Sequence, residues 1–189
     1  MEVYIVFTDT KTSLGRMIKT YTQYPYSHVS LSFDRELNEL YSFGRKNVNN
    51  AFIGGFVKED IKNHLFQRAH CAVFSCSVGE AEYGAMRDFV KKMEQGHEQY
   101  KYNLSGLFGV MMKKNFEREY AFFCSQFVTE VLQRGGIKVS DKPANMVMPR
   151  DIFNVKELDF VYSGSLKSYP FSRQADSGLE QERQLIEAL

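Results

Sequence analysis

Two side chains in this sequence have surroundings suited to covalent chemistry. Cys124 lies in the run Ala121-Phe122-Phe123-Cys124-Ser125-Gln126-Phe127-Val128, and His28 lies far upstream in Tyr26-Ser27-His28-Val29-Ser30. The cysteine run reads as the start of a helix that follows a charged loop. A thiol in a helix's first turn gains thiolate character from the helix dipole, and a nearby imidazole can take its proton. The chemistry on offer is nucleophilic acyl transfer. Ser125 and Gln126 add polar groups beside the sulfur within otherwise apolar flanks, where a cysteine is more commonly a buried filler.

His28 stands apart from the other three histidines, His64, His70 and His97, which fall in mixed or loop-like segments. Alternation places His28, Ser30 and Ser32 on one face of a strand and Val29, Leu31 and Phe33 on the other. The small serines leave room for another element, such as the N-terminus of a helix. A ring that serves as a base needs a third group to orient it. The following strand offers Ser42 and Glu39, and hairpin register decides between them, because a slip of one residue exchanges the two faces.

The elements that must position these residues can be traced along the chain. Residues 2–8 read as a strand, 12–22 as a short helix, and 27–33 with 39–43 as a hairpin. Residues 44–55, with Asn47, Asn49, Asn50 and Gly54-Gly55, read as a loop, and 56–62 as extended or irregular. A strand over 70–78 and an amphipathic helix over 79–95 follow. A loop at 100–103 leads to an apolar helix near 104–113. The Cys124 helix runs to about Arg134 and stops at Gly135-Gly136. A strand over 158–163 comes last. Strands and helices mix without regular β-α-β alternation, which is the pattern of an α+β fold. The expected organisation is one domain over 1–170 with a polar tail over 171–189, either helical or frayed.

Composition narrows the functional classes. Apolar residues make up 43% and charged residues 25%, as in ordinary globular domains, and the net charge of +1 gives no broad field for nucleic acid. No stretch is long and apolar enough for stable membrane insertion. The first residues lack the pattern of a signal peptide, so the expected location is cytoplasmic. Three cysteines, Cys71, Cys76 and Cys124, argue against a disulfide framework. Cys71 and Cys76 would face opposite sides of one strand as small buried hydrophobes. No close Cys-x-x-Cys or His-x-x-x-His pairing suggests zinc, and no cofactor is expected.

The order of these motifs, with Tyr26-Ser27-His28-Val29-Ser30, a hairpin, Tyr102-Asn103 and then Phe123-Cys124-Ser125-Gln126-Phe127-Val128, resembles the circularly permuted branch of the NlpC-type papain-like cysteine peptidases. That branch includes the bacterial YiiX-like proteins and is related to lecithin retinol acyltransferase. The likeness covers roughly residues 1–165. It implies a permuted papain-like core, an antiparallel sheet packed against helices, with Cys124 as nucleophile and His28 as base. It implies that Tyr102 lines the site and helps hold the oxyanion, beside the first turn that carries Ser125. The family's third position, often a glutamate, falls near Ser42. The implied activity is hydrolysis of amide bonds in a small peptide or acyl-amide substrate, with cell-wall peptides as the wider family's example. An acyltransferase or thioesterase acting on lipid-like substrates would share the first half-reaction. A binding module with a degenerate cleft is the non-catalytic alternative.

Overall fold

The computed structural model describes residues 1–9, 13–47, 50–102 and 121–171. The expected helix near 104–113 and the tail beyond 171 lie outside them. The described chain is α+β, built on one six-stranded antiparallel sheet. Strands β1 (Glu2–Asp9), β2 (His28–Ser32), β3 (Leu40–Asn47) and β4 (Asn50–Lys58) lie side by side in chain order. On the other side of β1 come β5 (His70–Ser77) and β8 (Asp159–Ser165). The N-terminal strand is therefore central. Its six residues from Val3 to Thr8 are all buried, because both faces of the sheet are covered. This explains why its apolar residues run on instead of alternating cleanly.

Helices supply one of the covers. Helix α1 (Ser13–Thr22) connects β1 to β2, and a single turn, α2 (His64–Gln67), precedes β5. Helix α3 (Glu80–Gln95) buries Met86, Val90 and Met93, spaced three or four apart on one stripe. After two short strands, β6 (Lys101–Tyr102) and β7 (Ala121–Phe122), comes α4 (Cys124–Arg134), and then the short α5 (Pro149–Phe153). Helix α4 ends in a full Schellman motif. Gly136 has φ of 74° and donates its N–H to Gln133 O, while Ile137 donates to Leu132 O at 3.0 Å. A residue with a Cβ would be strained at Gly136, which accounts for the Gly135-Gly136 stop.

Aromatic packing docks α4 on the sheet. Phe127, fully buried, lies 5.6 Å from Phe43 of β3 and 5.7 Å from Phe56 of β4, centroid to centroid. Phe122 closes on Phe43 at 5.0 Å. These contacts hold the residues on either side of Cys124 against the Val29/Phe43 face of the sheet. A second cluster, including Tyr4, Val6, Leu40, Cys71 and Val73, covers the opposite face.

One sequence expectation is overturned. The described residues of that segment, 44–47 and 50–55, are not a loop; they belong to strands β3 and β4, in which Gly44 pairs with Gly55 and Arg45 with Gly54. Asparagine and glycine locally favour a turn, yet Asn47, Asn50, Gly44, Gly54 and Gly55 sit inside the paired strands. The stretch at 56–62, expected to be extended or irregular, is extended at its start, where β4 continues through Lys58.

Phe127 is the test of this docking. Phe127→Ala removes its contacts with both β3 and β4 and should destabilise the fold by about 3–5 kcal/mol, measured by urea denaturation. A loss below about 1 kcal/mol would mean that α4 is held by something other than this aromatic contact.

Candidate active site

Hairpin register comes first, since it selects the side chains that face His28. Leu31 pairs with Tyr41 and Ser32 with Leu40. Ser30 is therefore level with Ser42, and His28, the first residue of β2, is level with Gly44. Ser42 shares the face of His28, whereas Glu39, Tyr41 and Phe43 lie on the other. Glu39 is accordingly not the group that orients the ring. Arg87 of α3 binds it with two nitrogens at 2.6 and 3.0 Å and stacks on Phe33 at 4.9 Å. That hydrogen bonding holds the Glu39 carboxyl below the usual range.

The carboxylate beside His28 is Glu59, the residue just after β4. Its N–H donates to Leu40 O at 2.8 Å, which extends the hairpin pairing by one step and brings the side chain onto the His28 face. His28 Nε2 lies 2.7 Å from Glu59 Oε1. Ser42 Oγ donates to the same oxygen at 2.6 Å, and Ser30 Oγ donates to Oε2 at 2.5 Å. Ser30 Oγ also lies 3.2 Å from His28 Nε2. The space beside Ser30 and Ser42 is thus taken by a carboxylate. Gly44 keeps this space open: a Cβ there would come within 3.2 Å of Ser42 Oγ and 3.5 Å of Glu59 Oε1.

Proton counting fixes the tautomer. A carboxylate only accepts, and each serine hydroxyl has its single proton committed to Glu59. His28 Nε2 must therefore carry a hydrogen, directed at Glu59. The second ring nitrogen, Nδ1, remains for the other neighbour, Cys124, whose interaction with the ring is among the causes that raise it. Cys124 is the first residue of α4, so the interaction joins the opening residues of a strand and a helix. Its N-cap is Phe123, whose side chain cannot accept a hydrogen bond, and the first turn has no side-chain cap.

Burial and charge compete at this site. Burial alone would push the His28 imidazole down. The Glu59 charge and the hydrogen bonds with Cys124 and Glu59 outweigh it and raise the ring to about 10 from its ordinary 6.5. Burial disfavours ionisation of Glu59 too, but the His28 charge and the donors His28, Ser30 and Ser42 hold it below the usual carboxylate range. The side chains of Glu59 and His28 are only 6% and 15% exposed, so each depends on the other for its charge.

The remaining candidates fall as follows. Ser42 reaches Glu59, and acts on the ring only through it. Ser125 donates its hydroxyl to Val147 O at 2.7 Å, fully buried; it ties α4 to the segment before α5, and that proton is not free for a substrate. Tyr102 pairs with Phe122 in the parallel β6–β7 ladder, two residues before Cys124, and its side chain lies outside the described residues. Cys71 and Cys76 are buried in opposite cores. Burial pushes their thiols up, to about 12 and about 11, with Glu157 and Asp159 adding to the effect at Cys76. Among the described residues, no group of three or more His, Cys, Asp or Glu side chains could hold a metal ion. None of their helices is long and apolar enough to cross a membrane.

Sequence reasoning missed Glu59 because the segment before it was assigned to a loop. The available signal was parity: continuing a hairpin through Gly44 and Gly55 places Val57 and Glu59 in step with Ser42.

No protein-family model matches this chain, and a search of curated proteins finds no match.

Two measurements test the pair. Glu59→Ala leaves a buried imidazole without its counter-charge and should cost about 3–5 kcal/mol, read from urea denaturation. The pH dependence has a defined sign. Above 6.5 the unfolded chain loses its His28 proton while the folded chain keeps it, so this contribution to stability falls as pH rises and is gone above about 10. Melting temperatures taken from pH 7 to 10 should decline more steeply in the native protein than in His28→Gln. Equal slopes would show that His28 carries no extra proton in the folded state.

Proposed function

We propose that this chain is a cysteine hydrolase that cleaves amide bonds in peptide or N-acyl substrates through an acyl-enzyme. The observation that carries the reading is the 2.7 Å His28–Glu59 pair with Cys124, at a helix start, as the ring's other neighbour. A nucleophile, a base and an orienting acid in contact form the arrangement that activated thiols require. The order of histidine before cysteine, with an antiparallel sheet against the cysteine helix, supports a permuted papain-like core of the NlpC type. Glu59 then fills the role expected near Ser42.

The steps follow from the positions. The Cys124 proton rests on His28, whose charged ring Glu59 stabilises, and the thiolate attacks the substrate carbonyl carbon. Negative charge develops on the carbonyl oxygen, and the Cys124 backbone N–H, in the uncapped first turn of α4, is the donor available for it. Collapse breaks the C–N bond, and the leaving amine receives the proton held by His28. Water, deprotonated by His28, then attacks the thioester. The products are a carboxylic acid and the restored thiol. Throughout, Glu59 keeps Nε2 protonated and stabilises the charged ring. An acyltransferase would replace the water with another acceptor and leave the first half unchanged.

Active-site alkylation tests this function. Iodoacetamide at pH 6 should modify Cys124 and spare Cys71 and Cys76, as read by peptide mass spectrometry. Cys124→Ala should abolish modification, and His28→Ala should slow it by about 10²-fold or more. Equal reaction at all three thiols, or an undiminished rate in His28→Ala, would remove the activated nucleophile and the hydrolase with it.

A further inference from the structure

The strand pair that carries His28 buries two serines where packing alone would be served by alanine or valine. Ser30 and Ser42 are level across β2 and β3, and both are fully buried. Each spends its hydroxyl proton on a different oxygen of Glu59, at 2.5 and 2.6 Å. We propose that Ser30 and Ser42 are positioning residues for the thiol hydrolase: together they clamp both oxygens of Glu59 and thereby set the orientation and charge of His28. This deepens the hydrolase reading and rests on it.

The geometry explains why two hydroxyls are needed. A carboxylate on a two-carbon stem can rotate about its last bond, and one hydrogen bond to His28 would not stop it. Oε1 accepts from both His28 and Ser42, and Oε2 accepts from Ser30, so rotation breaks bonds at both oxygens. A protonated Glu59 would have to place its own hydrogen where one of these donors now points, so the clamp selects the ionised form. Ser30 Oγ, 3.2 Å from Nε2, also borders the ring edge and limits its swing. The groups facing His28 are Glu59 and Ser42 from the β3–β4 hairpin, Ser30 from its own strand and Cys124 from α4. The charge balance of the site therefore runs through the carboxylate these serines hold. Neither serine touches the sulfur, so neither is a catalytic residue.

The experiment follows iodoacetamide alkylation of Cys124 against pH, together with 15N NMR titration of the His28 ring, in the native protein, Ser30→Ala, Ser42→Ala, the double variant and Ser42→Thr. Loss of each hydroxyl should lower the pH at which the ring loses its charge by about one unit, and the double variant should shift it further. The alkaline limb of the alkylation profile should move with it. Ser42→Thr, which keeps a hydroxyl, should retain the native profile. NMR reads the ring directly, so a variant with altered alkylation for another reason is still decided. Alanine variants with the native ring titration, alongside a Glu59→Gln variant that shifts it, would overturn the clamp and leave the hydrolase standing. A native protein in which Cys124 reacts no faster than Cys71 and Cys76 would overturn both.

Discussion

A carboxylate and an imidazole, both largely withdrawn from water, hold each other's charge beside the β2–β3–β4 strands. Neither would remain ionised at that depth alone, because desolvation opposes both charges. Their 2.7 Å contact, reinforced by the serines, reverses the outcome for each: Glu59 is held ionised and His28 is held protonated. The structure meets the resulting demands for space and donors with residues that would otherwise be poor strand interiors. Gly44 withholds a Cβ, and Ser30 and Ser42 replace apolar side chains. Local propensity is given up at these three positions to support a polar network, a conflict typical of functional sites.

The opposite side of the sheet shows the contrasting rule. Phe43, Phe56, Phe122 and Phe127 pack by shape and area, and their work is to bring the first turn of α4 to His28. Alternation along β3 separates the two tasks within one strand: Phe43 faces the helix while Ser42 faces the carboxylate. A cysteine with largely apolar flanks thus meets a charged relay without the relay crossing the aromatic core. The two other thiols lie where no such relay reaches them.

Legibility of the sequence followed the strength of local signals. Cys124 at a helix start and His28 on a strand could be picked out, because hydrophobic alternation and the charged approach to α4 are contiguous patterns. The α+β class followed from the same patterns, as did the glycine stop of α4. Glu59 was not legible in that way. Its role depends on a hairpin whose strands contain Gly44, Gly54, Gly55 and Asn50, residues that locally argue for a turn. Glu39 had the right chemistry and the wrong parity, and only the pairing of Leu31 with Tyr41 separates it from the site. Ser125 lies beside Cys124 in sequence, yet its hydroxyl points to a carbonyl 22 residues away.

The sheet's strand order has a consequence for how the protein fails. His28 belongs to β2, one of the two middle strands, whereas Glu59 hangs from β4, which among the described residues is an edge strand of the sheet. Border hairpins separate from a sheet more readily than its interior strands do. A modest disturbance can therefore carry the acid away from its base while most of the sheet stays intact. In mild denaturant, separation of Glu59 from His28 would then run ahead of loss of shape.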